Sequence, residues 1–288
     1  MSVTDKNNIV SIARADALYP KEWNALPDSP PILYAVGNTS LLKEKKFTAV
    51  GSRTTPVTAL KLGITVVKEL SQSFAIVTGL ADGGDTAVIE GGILGGGKVI
   101  CLLAGGFSAL PQNNLPLLER VVKQGGLLLS PHPYDTGVRA FSYEYRNKLL
   151  SCLGEGVLVL GAGLKSGALI TARHAQKQNK PVFAFPYAPN THSGAGCNAL
   201  IKEGAYLTES AEDISKRLGV QIEKKATCVT LSEDEKKMLS ALYEQGESHI
   251  SDLSQTTGIP VFKARTLLSA LEIKGVAVAL GGNRYAPV

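Results

Sequence analysis

The residues of this chain best suited to chemistry are cations and aromatics concentrated in one stretch, 143–172. It opens Tyr143-Glu144-Tyr145-Arg146-Asn147-Lys148, with Arg139 just upstream. It passes through the apolar run 157–160, reaches the turn Gly161-Ala162-Gly163 and closes on Ser166-Gly167-Ala168, with Arg173 and Lys177 beyond. Arginine offers a planar fork to phosphate, and an aromatic ring offers a face to an unpaired base. A helix that opens on Ser166-Gly167 presents orphan N–H groups and the positive end of its dipole, which makes a seat for an anion. Gly51-Ser52-Arg53 repeats the theme after another apolar run. Cations gathered at one crevice would bind a phosphodiester chain with a marked salt dependence.

Other chemistries find less support. His132, His174, His192 and His249 are scattered without metal-ligand spacing, so no metal is expected. No GxSxG nucleophile elbow occurs. There is neither a GxGxxG dinucleotide fingerprint nor a GxxxxGK[ST] loop, so no cofactor is expected. Asp82 and Asp85 follow an apolar run, where carboxylates serve most simply at a helix start. Cys101, Cys152, Cys197 and Cys228 form no CxxC pair. Cys101 and Cys152 read as small buried hydrophobes, and reduced thiols suit a cytoplasmic location.

Parallel β-structure is what must position these residues. The runs 47–50, 75–77, 99–103, 127–129, 157–160 and 182–185 are continuously apolar, as strands buried on both faces are. Helical segments lie between them, such as 58–70 with Leu60, Ile64, Val67 and Leu70. That alternation predicts an α/β fold, a doubly wound parallel sheet of extended Rossmann-like type. The glycine-rich turns then share the carboxyl edge, where such sheets bind ligands.

Before the first run, residues 1–46 read as an irregular, proline-rich arm packed on the main domain. Trp23 and Leu33-Tyr34 are its anchors, Trp23 serving in the core rather than as a base-stacking platform. The main domain spans 47–218, a polar linker 219–227, and a second domain 228–288. In the last, Ser232 and Glu235 make a capping box that opens a helix, two further helices follow, and a hairpin closes the chain. Three helices and a hairpin predict a winged helix. From residue 226 onward there are six basic and seven acidic residues, a net charge of −1, which favours a structural or protein-contact role over DNA reading.

The totals agree. The apolar share is 44% and the charged share 19%, as in a globular domain. The net charge of +5 permits an anionic partner without requiring one. No apolar run is long enough to span a bilayer and residues 1–14 hold no signal-peptide core, so no membrane association is expected.

Taken in order, the motifs resemble the DNA-processing protein A (DprA/Smf) family over nearly the whole chain. The matching residues are Pro30-Pro31 to Gly37, Gly51-Ser52-Arg53, and Val77-Thr78-Gly79-Leu80-Ala81 with Gly83 and Asp85. They continue through Pro111 and Asn114, Ser130 and Pro133, Arg146-Asn147, Ser166-Gly167 with Leu169-Ile170-Thr171-Ala172, and Gly204-Ala205. The resemblance implies a non-enzymatic protein that binds single-stranded DNA, forms a homodimer, and helps load a RecA-type recombinase in natural transformation. It implies that Arg53 contacts phosphate, Tyr143 a base and Arg146 the strand, and that Ser166 and Gly167 line the phosphate seat. The full candidate interface is Gly51, Ser52, Arg53, Arg139, Tyr143, Arg146, Asn147, Lys148, Gly163, Ser166, Gly167, Arg173 and Lys177.

The chain is a divergent member of that pattern. The family's Phe-Pro-x-Arg-Asn-Arg reads Tyr143 to Lys148 here, with Glu144 inside it, and Ile89, Pro131 and Gly161 replace polar family residues. The other reading left open is a nucleotide sensor or nucleotide-processing enzyme on a related Rossmann-like fold.

Overall fold

The computed structural model of the protein describes residues 2–222 and 231–287. Most of the predicted linker, the first residues of the predicted second domain, and Cys228 lie outside the described residues. The chain divides into two compact units, 1–223 and 224–288.

The first unit is built on a nine-stranded sheet. Its strands are β1 (Val10–Ala13), β2 (Ile32–Gly37), β3 (Lys46–Val50), β4 (Ala75–Thr78), β5 (Val99–Leu102), β6 (Leu127–Ser130), β7 (Val157–Val159), β8 (Val182–Ala184) and β9 (Tyr206–Leu207). They lie in the order β1-β2-β6-β5-β4-β3-β7-β8-β9. From β6 to β9 every neighbour is parallel. The helices are α1 (Val57–Leu70), α2 (Gly84–Leu94), α3 (Leu115–Lys123), α4 (Ala140–Leu153), α5 (Gly167–Lys177), α6 (Ala195–Lys202) and α7 (Ala211–Leu218).

The central strands are apolar throughout because both sheet faces are covered, and alternate residues enter opposite layers. Ile100 and Leu102 join the core beneath α4, α5 and α6. Val99 and Cys101 join the layer under α3 on the other face, and Phe47 and Ala49 pack beneath α1 and α7. The strand order reverses between β3 and β7, which leaves a crevice outside their carboxyl ends.

The arm of residues 1–46 is more regular than its composition predicts. β1 and β2 form an antiparallel pair, and β2 adds antiparallel to β6. The prolines sit outside these strands, where a missing N–H costs no ladder bond. Trp23 is fully buried and its indole N–H donates to Leu149 O (3.0 Å). It is therefore a core anchor and not a stacking platform.

The second unit has α8 (Glu233–Gln245), α9 (Ile250–Thr257) and α10 (Val261–Ile273). Its three-stranded antiparallel sheet is made of β10 (Ser248–His249), β11 (Ala277–Gly281) and β12 (Arg284–Pro287), in the order β10-β12-β11. The Ser232–Glu235 capping box forms as the sequence predicts: Ser232 Oγ accepts the Glu235 N–H (3.3 Å), and Glu235 Oε2 accepts the Ser232 N–H (2.7 Å). Met238, Leu242, Leu253, Leu268 and Leu271 make its separate core. β10 was not legible, since two residues carry no periodicity.

Candidate functional site

Helix α4 carries the candidate residues on one face and is held by the arm on another. Tyr145, Lys148, Leu149 and Cys152 recur at helical spacing and all meet residues 22–28. Tyr145 Oη donates to Asp28 O (2.8 Å), Lys148 Nζ pairs with Asp28 Oδ1 (2.6 Å), and Cys152 Sγ donates to Glu22 O (3.0 Å). Arg146 and Asn147 fall between those positions, so they turn inward. Asn147 Nδ2 donates to Gly167 O (3.3 Å) and ties α4 to the start of α5.

The turns after β3, β4 and β7 are laced together through backbone. Ser52 N–H donates to Gly161 O (2.8 Å), and Ser52 O accepts the Gly84 N–H (3.0 Å). The Asp85 carboxylate accepts the Gly51 N–H (3.1 Å) and the Ala81 N–H (3.0 Å). Asp85 is thus at a helix start, as expected, but its oxygens serve two neighbouring turns. Gly51 and Gly84 meet backbone to backbone, and a Cβ on Gly51 would stand 2.7 Å from Gly84 Cα. Only glycine permits that approach.

Arg146 is buried beside Asp85, with Nη1 reaching Leu102 O at 3.5 Å. Its Nε is buried without a hydrogen-bond partner. Burial pushes the Asp85 carboxyl up, while the Arg146 guanidinium draws it down. Burial lowers Arg146, and Asp85 opposes that. The two charges are therefore mutual supports inside a medium that favours neither.

These residues border a crevice of about 690 Å³. Gly51, Ser52, Arg53, Tyr143, Arg146, Asn147, Gly163, Ser166 and Gly167 all line it. Arg53 is exposed at its mouth, and Tyr143 is 47% exposed, leaving much of its ring free to take a ligand. Ser166 caps α5 by accepting the Ala168 N–H (3.2 Å).

Four candidates are not brought together with them. Lys148 is committed to Asp28. Arg139 lies at the α4 start with its guanidinium 6.0 Å from the Phe141 ring, and Arg173 and Lys177 are exposed along α5. None of the four lines the crevice. Residue spacing placed them near the turn, but the helix rotation sends them elsewhere. Conversely, Lys165, Asn113, Leu103 and Val138 line the crevice and were not foreseen. Lys165 sits between Gly163 and Ser166, which was a usable signal. Leu103 and Asn113 come from the segment after β5 and Val138 from the segment between β6 and α4, where only folding brings them in.

The departures from the family pattern are accommodated locally. A Cβ at Gly161 would stand 2.6 Å from Thr55 Oγ1 and 2.8 Å from Tyr187 Oη, so those side chains occupy the space a larger residue would need. Ile89 is fully buried in the apolar layer. Glu144 is exposed outside the crevice, and its charge is felt by His174. Among the described residues no group of three His, Cys, Asp or Glu gathers as a metal site, and no helix is long and apolar enough to cross a membrane.

Comparison with known proteins supplies the family. Residues 10–219 match the family model described as DNA recombination-mediator protein A. The chain is 35% identical over 216 residues to DNA processing protein DprA of Bacillus subtilis, covering 74% of this chain and 72% of that protein. It is 32% identical over 204 residues to DprA of Streptococcus pneumoniae, covering 71% and 72%. The solved S. pneumoniae DprA superposes with a TM-score of 0.68 at 33% identity, over 72% of this chain and 74% of that one. DprA of Helicobacter pylori, whose structure was described for its single-stranded DNA binding mode, superposes with a TM-score of 0.67 at 30% identity, over 76% and 98%. A mixed α/β unit with a large, mostly parallel sheet, matched at this level along its length, is one of a family of recombination mediators rather than catalysts: the chain belongs to the DNA recombination-mediator protein A (DprA/Smf) family.

Proposed function

We propose that this protein binds single-stranded DNA at the crevice and acts as a recombination mediator, protecting the strand and helping to load a RecA-type recombinase. The observation that carries the reading is the pairing of an exposed cation, Arg53, and an exposed ring, Tyr143, at the mouth of a crevice containing a buried guanidinium with an unpaired Nε. Phosphate meets Arg53, the Gly167 N–H and the positive end of the α5 dipole, and a base turns onto Tyr143. Gly51, Ser52, Asn147, Gly163, Ser166 and Gly167 shape that surface, and Arg139, Arg173 and Lys177 act from its surroundings, whereas Lys148 is held by Asp28. The H. pylori relative's single-strand binding supports the choice of ligand.

The proposal includes a homodimer working in the cytoplasm, with residues 228–288 forming a winged helix that contacts protein rather than reading DNA. Its cations are mostly engaged internally: Lys263 with Asp234 (2.5 Å), Lys274 with Glu235 (2.6 Å), and Arg284 with Glu247 (2.7 Å).

Fluorescence anisotropy with labelled single-stranded and duplex oligonucleotides at low and physiological salt tests the reading. Preference for the single strand, weakened by salt, is the expected result; equal or absent binding overturns it. The crevice volume of about 690 Å³ also suits a single nucleotide, so a nucleotide sensor is the second reading. Thermal stabilisation by mononucleotides without strand binding would favour it.

A further inference from the structure

The crevice has two walls of different chemistry. Its cations come from the turns after β3 and β7, as Arg53 and Lys165, and from α4, as Arg146. Residues of the segment after β5, 103–114, also line it, and that segment carries no charged side chain. Leu103 and Leu110, with Val138, give this wall an apolar surface, and Asn113 and Asn114 give it two amides. Asp82, which follows β4 between the two walls, turns phosphate away from the β5 side. Asn114 stands at the N-cap of α3, where an asparagine side chain ordinarily takes a helix N–H, yet it makes no cap bond. Its backbone is already helical, and Pro116 in the first turn has no N–H to offer. Neither amide is engaged by another described residue; Asn113 is exposed and Asn114 half-buried.

The segment that carries the amides is fixed before any ligand arrives. Phe107 is fully buried, the Gly106 N–H donates to Thr136 O (2.8 Å) and the Ser108 N–H to Tyr134 O (3.1 Å). The Asn114 N–H donates to Pro111 O (3.0 Å) and closes the turn that presents the pair. The ends of β3 and β5 are two strands apart, with β4 between them, and so about 10 Å apart. One nucleotide has that reach from its phosphate to the far edge of its base. A phosphate at Arg53 therefore lays its base on the apolar surface with the base edge toward the amides. A carboxamide carries an acceptor and donors side by side. The Watson–Crick edge of every base offers an adjacent donor and acceptor in one order or the other, and a carboxamide turned over matches either order.

We infer that Asn113 and Asn114 hold the Watson–Crick edge of one unpaired base. The contact presupposes the strand binding proposed above and accounts for its selectivity. That edge is free in a single strand and occupied in a duplex, so the amides select unpaired DNA. They select no sequence, because the amide plane turns over to suit each base. Phosphate contacts alone would hold a duplex as readily.

Fluorescence anisotropy of the full-length chain, with an oligothymidylate and with the same strand built from N3-methylthymine, tests this. The methyl group replaces the proton on the Watson–Crick edge and leaves the phosphates and ring faces in place. The wild type is expected to bind the methylated strand about tenfold more weakly, within the range of one good side chain–base pair. The double variant Asn113→Leu/Asn114→Leu is expected to bind both strands alike, near the wild type's affinity for the methylated one. Its salt slope is expected to be unchanged, since no phosphate contact is lost. A wild type that binds both strands alike overturns the inference and leaves strand binding standing. A double variant that keeps the preference, or whose salt slope falls, overturns it too. Binding to neither strand overturns the strand-binding reading and this inference with it. Circular dichroism checks that the variant remains folded, and the wild-type comparison can overturn the inference without any substitution.

Discussion

Asp85 and Arg146 are buried side by side beneath Gly79, and a methyl group on Gly79 would overlap both. The absence of a side chain on one strand end is thus what admits a charge pair from two helices. The pair links the two functions of this edge. Asp85 fastens the turns after β3 and β4, and Arg146 supplies the unpaired donor at the crevice.

Substituting Asp85→Ala leaves Arg146 buried without its counter-charge and strands the Gly51 and Ala81 N–H groups. Removing one partner of a buried pair costs ~3–5 kcal/mol. Urea denaturation of the variant at neutral pH should show a loss of that order, with the slope unchanged. A loss below 1 kcal/mol would mean that the pair is not mutually supporting.

The Asp28–Lys148 bridge predicts an acid-sensitive latch between arm and α4. The hydrogen bond from Lys148 is the largest influence holding the Asp28 carboxyl below its ordinary value. A depressed carboxyl contributes stability above its unfolded value of 3.8, and that contribution is lost as pH falls through the folded value. Both partners are partly exposed, so Asp28→Asn should cost only ~0.2–1 kcal/mol at pH 7. The difference from wild type should vanish once pH lies below the folded value. Paired thermal melts at neutral and acid pH would read it, and a constant difference would assign the loss to packing instead.

Trp23→Ala should be among the most damaging changes in the first unit, since a fully buried aromatic truncation costs ~3–5 kcal/mol. Trp23→Phe keeps a ring but removes the indole donor from Leu149 O, which retains its helix bond, a loss of ~0.5–1.5 kcal/mol. Because Leu149 lies on α4, both variants should also weaken strand binding. Differential scanning calorimetry with parallel anisotropy would separate the two effects.

Arg53 and Lys148 provide a contrast within the candidate cations. Arg53 is exposed at the crevice mouth, whereas Lys148 is committed to Asp28. Each phosphate contact contributes ~0.7 to the slope of log affinity against log salt for a single strand. Arg53→Ala should reduce that slope by one contact, and Lys148→Ala should leave it unchanged. The reverse pattern would move the strand from the crevice to the arm side of α4.

Much of the fold was legible because it depends on local pattern. Continuous apolar runs marked the six central strands, glycines marked their carboxyl ends, and Ser232 with Glu235 marked a helix start. β1 and β2 escaped, because prolines dominate the composition around them and β2, to which β1 pairs, joins the sheet through β6, 90 or more residues further along. The site was legible in part for the same reason. Gly51 to Arg53 and Gly163 to Gly167 lie in turns whose position follows from strand ends. Residue types alone therefore determined an α/β chain with phosphate-suited turns on one edge and a near-neutral C-terminal unit. Only the tertiary structure decided which cations face the crevice, because helix rotation is set by distant contacts. The arm's hold on Tyr145, Lys148 and Leu149 turns Arg146 inward to Asp85 and takes Lys148 away.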